Sequence, residues 1–162
     1  MKYFFDTEFS DKGRVLYPIS IGIVTEDGRE FYSEIFSLWR VDDPDPWIVE
    51  NVGKYLAADQ QALSREDVAE RVREFIGNEP AEFWAYWAAY DWVVFCQLMG
   101  GLMKLPKNVS PWVRDLAWLD PTLERIRALK VHNPKPHHAL YDARELREQY
   151  TRLALNGGAD GR

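Results

Sequence analysis

The spacing of apolar and polar positions changes several times along the chain, and each change predicts an element. Met1-Lys2-Tyr3-Phe4-Phe5 is apolar and aromatic without turn residues, which predicts a short buried strand. Ser10-Asp11-Lys12-Gly13-Arg14 predicts a turn. Pro18 to Thr25 (PISIGIVT) is a β-branched run, Glu26-Asp27-Gly28 a hairpin turn, and Arg29 to Phe36 the paired strand. Three antiparallel strands therefore open the chain.

The pattern then becomes helical. Asp42-Asp43-Pro44-Asp45-Pro46 interrupts regular structure ahead of a short helix at Trp47. Ser64 with Asp67 forms a capping-box-like start for a helix ending near Gly77-Asn78, with Val68, Val72, Phe75 and Ile76 as its apolar stripe. Glu82 to Tyr86 predicts a strand, and Tyr90 to Met99 a helix stopped by Gly100-Gly101. Pro106 to Pro111 is loop; Trp112 to Leu119 is ambiguous and is taken as a short strand leading into a helix over 120–129. Asn133-Pro134-Lys135-Pro136 cannot be helical throughout. A last helix, about 139–154, turns Leu140, Leu146 and Leu153 inward, and Asn156 to Arg162 is a frayed tail. A strand meander followed by alternating helices and strands predicts an α/β domain with a mixed sheet, one domain over 1–155 and a flexible tail over 156–162.

Composition and charge sharpen this. A chain of 162 residues that is 46% apolar suits one globular domain. No apolar run reaches the roughly 20 residues of a membrane span, and Asp6 interrupts any signal-peptide core, so no membrane partner is expected. The lone Cys96 has no disulfide partner and suits a reducing, cytoplasmic setting. The net charge of −6 divides unevenly: residues 1–100 carry 9 basic and 19 acidic side chains (−10), residues 101–162 carry 11 and 7 (+4). Lys104, Lys107, Arg114, Arg125, Arg127, Lys130 and Lys135 could then form a phosphate-holding surface. For Arg125, Arg127 and Lys130 a solvated helix face fits equally well.

Three clusters carry candidate chemistry. Asp6 and Glu8 stand two residues apart on a strand, side chains on one face, where their repulsion calls for a hard divalent cation such as Mg²⁺ or Mn²⁺. Taken alone, such a pair also fits acids that end an edge strand in solvent. Asp91 opens a helix after an aromatic strand-like segment. His137 and His138 precede Asp142 at the start of the last helix. On a continuous helix, residues five apart differ by about 140° in direction, but Pro134 and Pro136 put the histidines on a loop free to fold over Asp142. A histidine of ordinary pKa suits a general base near neutral pH. Thr7 and Phe9, beside the acid pair, are the candidate substrate contacts, Phe9 by stacking on a terminal base.

The order D-x-E, Asp, H-x-A-x-x-D resembles the DEDDh 3′→5′ exonucleases, the group of ribonuclease T and of proofreading subunits. The likeness runs over roughly residues 1–155. YFFDTEF, ISIGIVTEDGREFY, AAYDWVVFCQL and HHALYDARE are most similar to the polyadenylate-specific branch described in mycobacteria. The resemblance implies a ribonuclease H-like fold with a mixed sheet of about five strands flanked by helices. It also implies metal-dependent hydrolysis of RNA from its 3′ end to nucleoside 5′-monophosphates, with adenosine-rich ends as a possible preference. Two Mg²⁺ ions, with Mn²⁺ substituting, would be held by Asp6, Glu8, Asp91 and Asp142. Within that set the family puts Asp6 between the ions, joins Glu8 and Asp142 to one of them, and gives Asp91 the other through water. It selects His137 over His138 as the base, and it implies a homodimer. A DNA-trimming exonuclease shares these residues. A non-catalytic binding module on the same fold would have lost at least one of the four acids or the histidine. Of the seven tryptophans, Trp84 and Trp87 are expected in the core, while Trp39, Trp47 and Trp112 fall near loops and suit either RNA stacking or a subunit interface.

Overall fold

The computed structural model describes residues 1–40, 44–57, 62–120 and 122–157. Strands β1 (Lys2–Asp11), β2 (Leu16–Thr25) and β3 (Glu30–Glu34) form the opening meander, and β4 (Glu82–Ala85) and β5 (Arg114–Asp115) complete a sheet of order β3-β2-β1-β4-β5. β1 runs antiparallel to β2 and parallel to β4, so the sheet is mixed, with β1 at its centre. Helices α1 (Pro46–Asn51), α2 (Arg65–Ile76), α3 (Ala89–Leu98), α4 (Glu124–Ala128) and α5 (Ala139–Gly157) surround it. Among the described residues, no helix is long and apolar enough to cross a membrane.

The central position of β1 explains its sequence. A strand covered on both faces needs apolar side chains at consecutive positions rather than alternate ones. Tyr3 and Phe5 face one layer, packing with Ile21, Ile23, Val68, Val72, Phe83 and Phe95 beneath α2 and α3. Phe4 faces the other, with Trp84, Leu116, Leu146 and Leu153 beneath α5. Each such side chain that is fully buried contributes about 1.5–3 kcal/mol.

The structure departs from the sequence expectations at several points. β1 does not stop near Phe5 but continues through Asp11, because pairing with β2 carries it past the acids, with a bulge between Glu8 and Phe9. Trp87 is exposed, not core: β4 ends at Ala85, and a left-handed residue at φ 55° turns its side chain outward. Leu140 is only half-buried, since the inward stripe of α5 runs through Ala139, Ala143, Leu146 and Leu153. Asn156 and Gly157 belong to α5, whereas residues 158–162, Asp42 and Asp43 lie outside the described residues. Trp39 is buried with Ile19 and Val52, which removes it from the candidates for RNA stacking.

Candidate active site

Alternation along β1 places Asp6 and Glu8 on the same face as Phe4, beneath α5. Asp142 lies in the first turn of α5. One carboxylate oxygen from each of Asp6, Glu8 and Asp142 lies within 4.8 Å of the other two. Gly22 makes this meeting possible. It pairs with Asp6 across the β1–β2 ladder, and a Cβ at Gly22 would stand 2.3 Å from the backbone of Ala139 and Leu140. The start of α5 therefore rests directly on the sheet backbone at the level of Asp6.

Asp91 arrives from the first turn of α3 and is buried. Its carboxylate accepts the Thr7 amide at 2.9 Å and the Thr7 hydroxyl at 2.6 Å. Thr7 is itself buried, so its hydroxyl anchors Asp91 instead of facing a substrate, unlike the sequence expectation. Asp115 fixes the approach to α3 by accepting the amides of Trp87, Ala88 and Ala117.

Crowding governs the electrostatics. Burial, then the charges of Asp91, Glu8, Asp142 and Glu145, hold the Asp6 carboxyl well above its usual range. Glu8 is pushed up to about 8 by burial and by Asp142 and Asp91. Asp91 is raised to about 6, burial outweighing the two Thr7 hydrogen bonds that pull the other way. Burial also raises Asp142, against a hydrogen bond from Asn133 and the nearby His137. An all-oxygen donor set whose charges repel at close range fits a hard divalent cation, which would neutralise them together. The acidic cluster thus suggests a metal centre.

A cavity of about 350 Å³ opens beside the cluster, lined by Asp6, Asp142, Glu145, Tyr86 and His137 among others. His137 is exposed, in a left-handed conformation at φ 65°, with its ring edge-on to Trp47 at 4.8 Å. His138 is placed differently. Its ring packs against Tyr32, Tyr55 and Tyr141, its Nδ1 is sealed from solvent, and burial lowers its pKa. Its carbonyl accepts the amides of Tyr141 and Asp142, which starts α5. Phe9 is half-buried and stacked on Tyr90 at 5.7 Å, so one ring face is already covered.

Sequence reasoning missed Glu145, Asn133 and Tyr90. Glu145 follows Asp142 by three residues, a spacing that puts both on one helix face and could have revealed it. Asn133 and Tyr90 carried no comparable signal, because their partners are set by the path of a loop and by the bulge in β1.

A mixed five-stranded sheet with flanking helices is a ribonuclease H-like fold, shared with exonucleases. Exonuclease I from Methylocaldum szegediense superposes with a TM-score of 0.70 at 16% identity, covering 98% of this chain. The zinc-bound complex of E. coli exonuclease I with single-stranded DNA superposes with a TM-score of 0.70 at 14% identity, also over 98%. The chain spans 41% of the length of either exonuclease, and at such identities the likeness concerns the fold. The family model of the Rv2179c-like 3′-5′ exoribonuclease domain matches residues 1–153. The 3′-5′ exoribonuclease Rv2179c of Mycobacterium tuberculosis is 36% identical over 155 residues, covering 90% of this chain and 88% of that protein. The chain belongs to the Rv2179c-like 3′-5′ exoribonuclease family, and is thereby a hydrolase acting on RNA.

Proposed function

We propose that the chain releases nucleoside 5′-monophosphates one at a time from RNA 3′ ends, using Mg²⁺, replaceable by Mn²⁺, with His137 as general base. The observation that carries this reading is the approach of Asp6, Glu8 and Asp142 within 4.8 Å, beside a cavity that His137 also lines. Asp6, Glu8 and Asp142 would hold one ion, and Asp6 with Asp91 the second. When bound, the pair supplies an activated water, relief of charge on the phosphate and support for the departing 3′-oxygen.

The chain's own residues do the rest. A free imidazole nitrogen of His137 takes the proton of the attacking water, and the exposed loop lets the ring reach it. Thr7 keeps Asp91 turned towards the acids through two hydrogen bonds. Phe9, backed by Tyr90, offers its remaining face to a terminal base, a contact that favours purines without demanding them. A pocket that closes over the terminal nucleotide would leave no room for a continuing strand, so a free 3′-OH should be required. The preference for RNA and for adenosine-rich ends rests on the family. We read residues 1–155 as one exonuclease domain, and the buried thiol of Cys96 suits a cytoplasmic enzyme. A homodimer is also proposed, supported by the exposed apolar residues Val93, Leu102, Trp112 and Trp118.

The test is a time course on end-labelled linear RNA ending in A, G, C or U, beside circular RNA and matched DNA. A ladder from the 3′ end, fastest on A, with 5′-monophosphate products is expected. Cleavage of the circle would overturn the exonuclease pocket, and faster trimming of DNA would overturn the RNA assignment.

A further inference from the structure

One side chain links the acidic cluster to the histidine loop. Asn133 Nδ2 donates to Asp142 Oδ1 at 2.5 Å and to Glu145 Oε2 at 3.0 Å. At the other end of the same amide, Asn133 Oδ1 accepts the backbone amide of Lys135 at 2.9 Å. That bond closes a side-chain turn at the start of the Asn133-Pro134-Lys135-Pro136 stretch leading to His137. Two prolines in the stretch donate no backbone hydrogen bonds, so beyond Asn133 itself the Lys135 amide is the backbone donor available within it, and it goes to the Asn133 side chain. Glu145 is held in turn by Gln149 Nε2 at 2.9 Å.

We propose that Asn133 is a positioning residue of the exonuclease site, its amide setting the Asp142 carboxylate and its carbonyl oxygen shaping the loop that presents His137. The inference rests on reading Asp142 as a metal ligand and His137 as the base. A primary amide is suited to the task because it offers two donors and an acceptor at once. The donors lie between two like charges on one helix face, Asp142 and Glu145, and keep both carboxylates facing the site. A serine here could still accept from the Lys135 amide, but it is too short to reach Asp142. Partners that orient a metal ligand typically alter metal affinity by about 10–100-fold when removed.

The test combines calorimetric titration of Mn²⁺ into the metal-free chain with kcat and KM on linear RNA at saturating Mn²⁺. Asn133→Ala and Asn133→Ser are compared with wild type, with Asp142→Ala as reference. Both Asn133 variants should bind Mn²⁺ about 10–100-fold more weakly. Asn133→Ala should also lose kcat at saturating metal with little change in KM, because the loop carrying His137 is no longer held, whereas Asn133→Ser, which keeps that bond, should lose affinity with kcat near wild type. Asn133→Ser keeps the turn, so it still reads out should the alanine variant fail to fold. Wild-type Mn²⁺ affinity and kcat in the folded Asn133 variants, with affinity lost in Asp142→Ala, would overturn the role of Asn133 alone. Unchanged affinity in Asp142→Ala would instead overturn the metal reading beneath it.

Discussion

Gly22→Ala is the substitution on which the geometry bears most directly. The added methyl would stand 2.3 Å from Ala139 C and Leu140 N, where ordinary contact begins at 3.4 Å. Something must give by roughly 1 Å, and both sides are backbone: the β2 strand, held by ladders to β1 and β3, and the first turn of α5. Forcing a methyl into packed backbone costs about 1–3 kcal/mol. For a chain of this size, each kcal/mol lowers Tm by about 2–4 °C, so a drop of roughly 2–12 °C is expected. The larger effect falls on activity. Lifting α5 carries Asp142 away from Asp6, and a misplacement of about 1 Å can cost on the order of 10²-fold in rate. Calorimetric melting would be paired with single-turnover hydrolysis at saturating Mn²⁺. A variant that melts and turns over like wild type would show that α5 does not depend on Gly22 for its seat, and the account of how Asp142 meets Asp6 would fail.

Other consequences follow from the same site. His137→Ala should lower kcat by about 10²–10⁴-fold while calorimetry still registers metal binding; an inactive His138→Ala with an active His137→Ala would reverse the assignment. In the metal-free chain the site carboxyls have raised pKa values, Glu8 about 8 and Asp91 about 6, so the folded state holds more protons than the unfolded one. Their stabilisation is complete below about pH 4, where the unfolded carboxyls are also protonated, and is lost as pH rises towards 8. Lowered His138 acts in the opposite sense, but as a single half-buried group against several carboxyls. With EDTA the stability should therefore fall between pH 5.5 and 8, by on the order of a few kcal/mol, and Tm with it, and Mn²⁺ should restore more at the higher pH; a metal-free Tm that climbs across this range would contradict the crowding. Light scattering should give a dimer mass at micromolar concentration, and a fully active monomer would dismiss the pairing.

What could be read beforehand was local. Ser64 and Asp67 show it: the Ser64 hydroxyl accepts the Asp67 amide at 3.1 Å and starts α2 where the capping pattern placed it. The hairpin at Glu26-Asp27-Gly28 and the burial of the first strand were legible for the same reason, since turn chemistry and an unbroken apolar run are written in neighbouring residues. The spacing of Asp6 and Glu8 likewise settles that they share a face. What was not legible depends on where distant backbone comes to rest. Nothing in the sequence near Gly22 says that α5 will lie against it, nor that Thr7 will spend its hydroxyl on Asp91, 84 residues away. Trp87 was expected in the core because it lies beside a strand, but β4 ends at Ala85 and the chain turns there, so nearness to the strand does not bury it.

The central claim is that carboxylates from β1, α3 and α5 form one metal centre that runs the hydrolysis. It is tested most directly by stripping the chain with EDTA and titrating Mn²⁺ back while following 3′ shortening of labelled RNA, for wild type and Asp6→Asn. The account predicts no hydrolysis in excess chelator, recovery that saturates near two ions per chain in wild type, and no recovery in the variant. Undiminished hydrolysis in EDTA, or full recovery in Asp6→Asn, would contradict it.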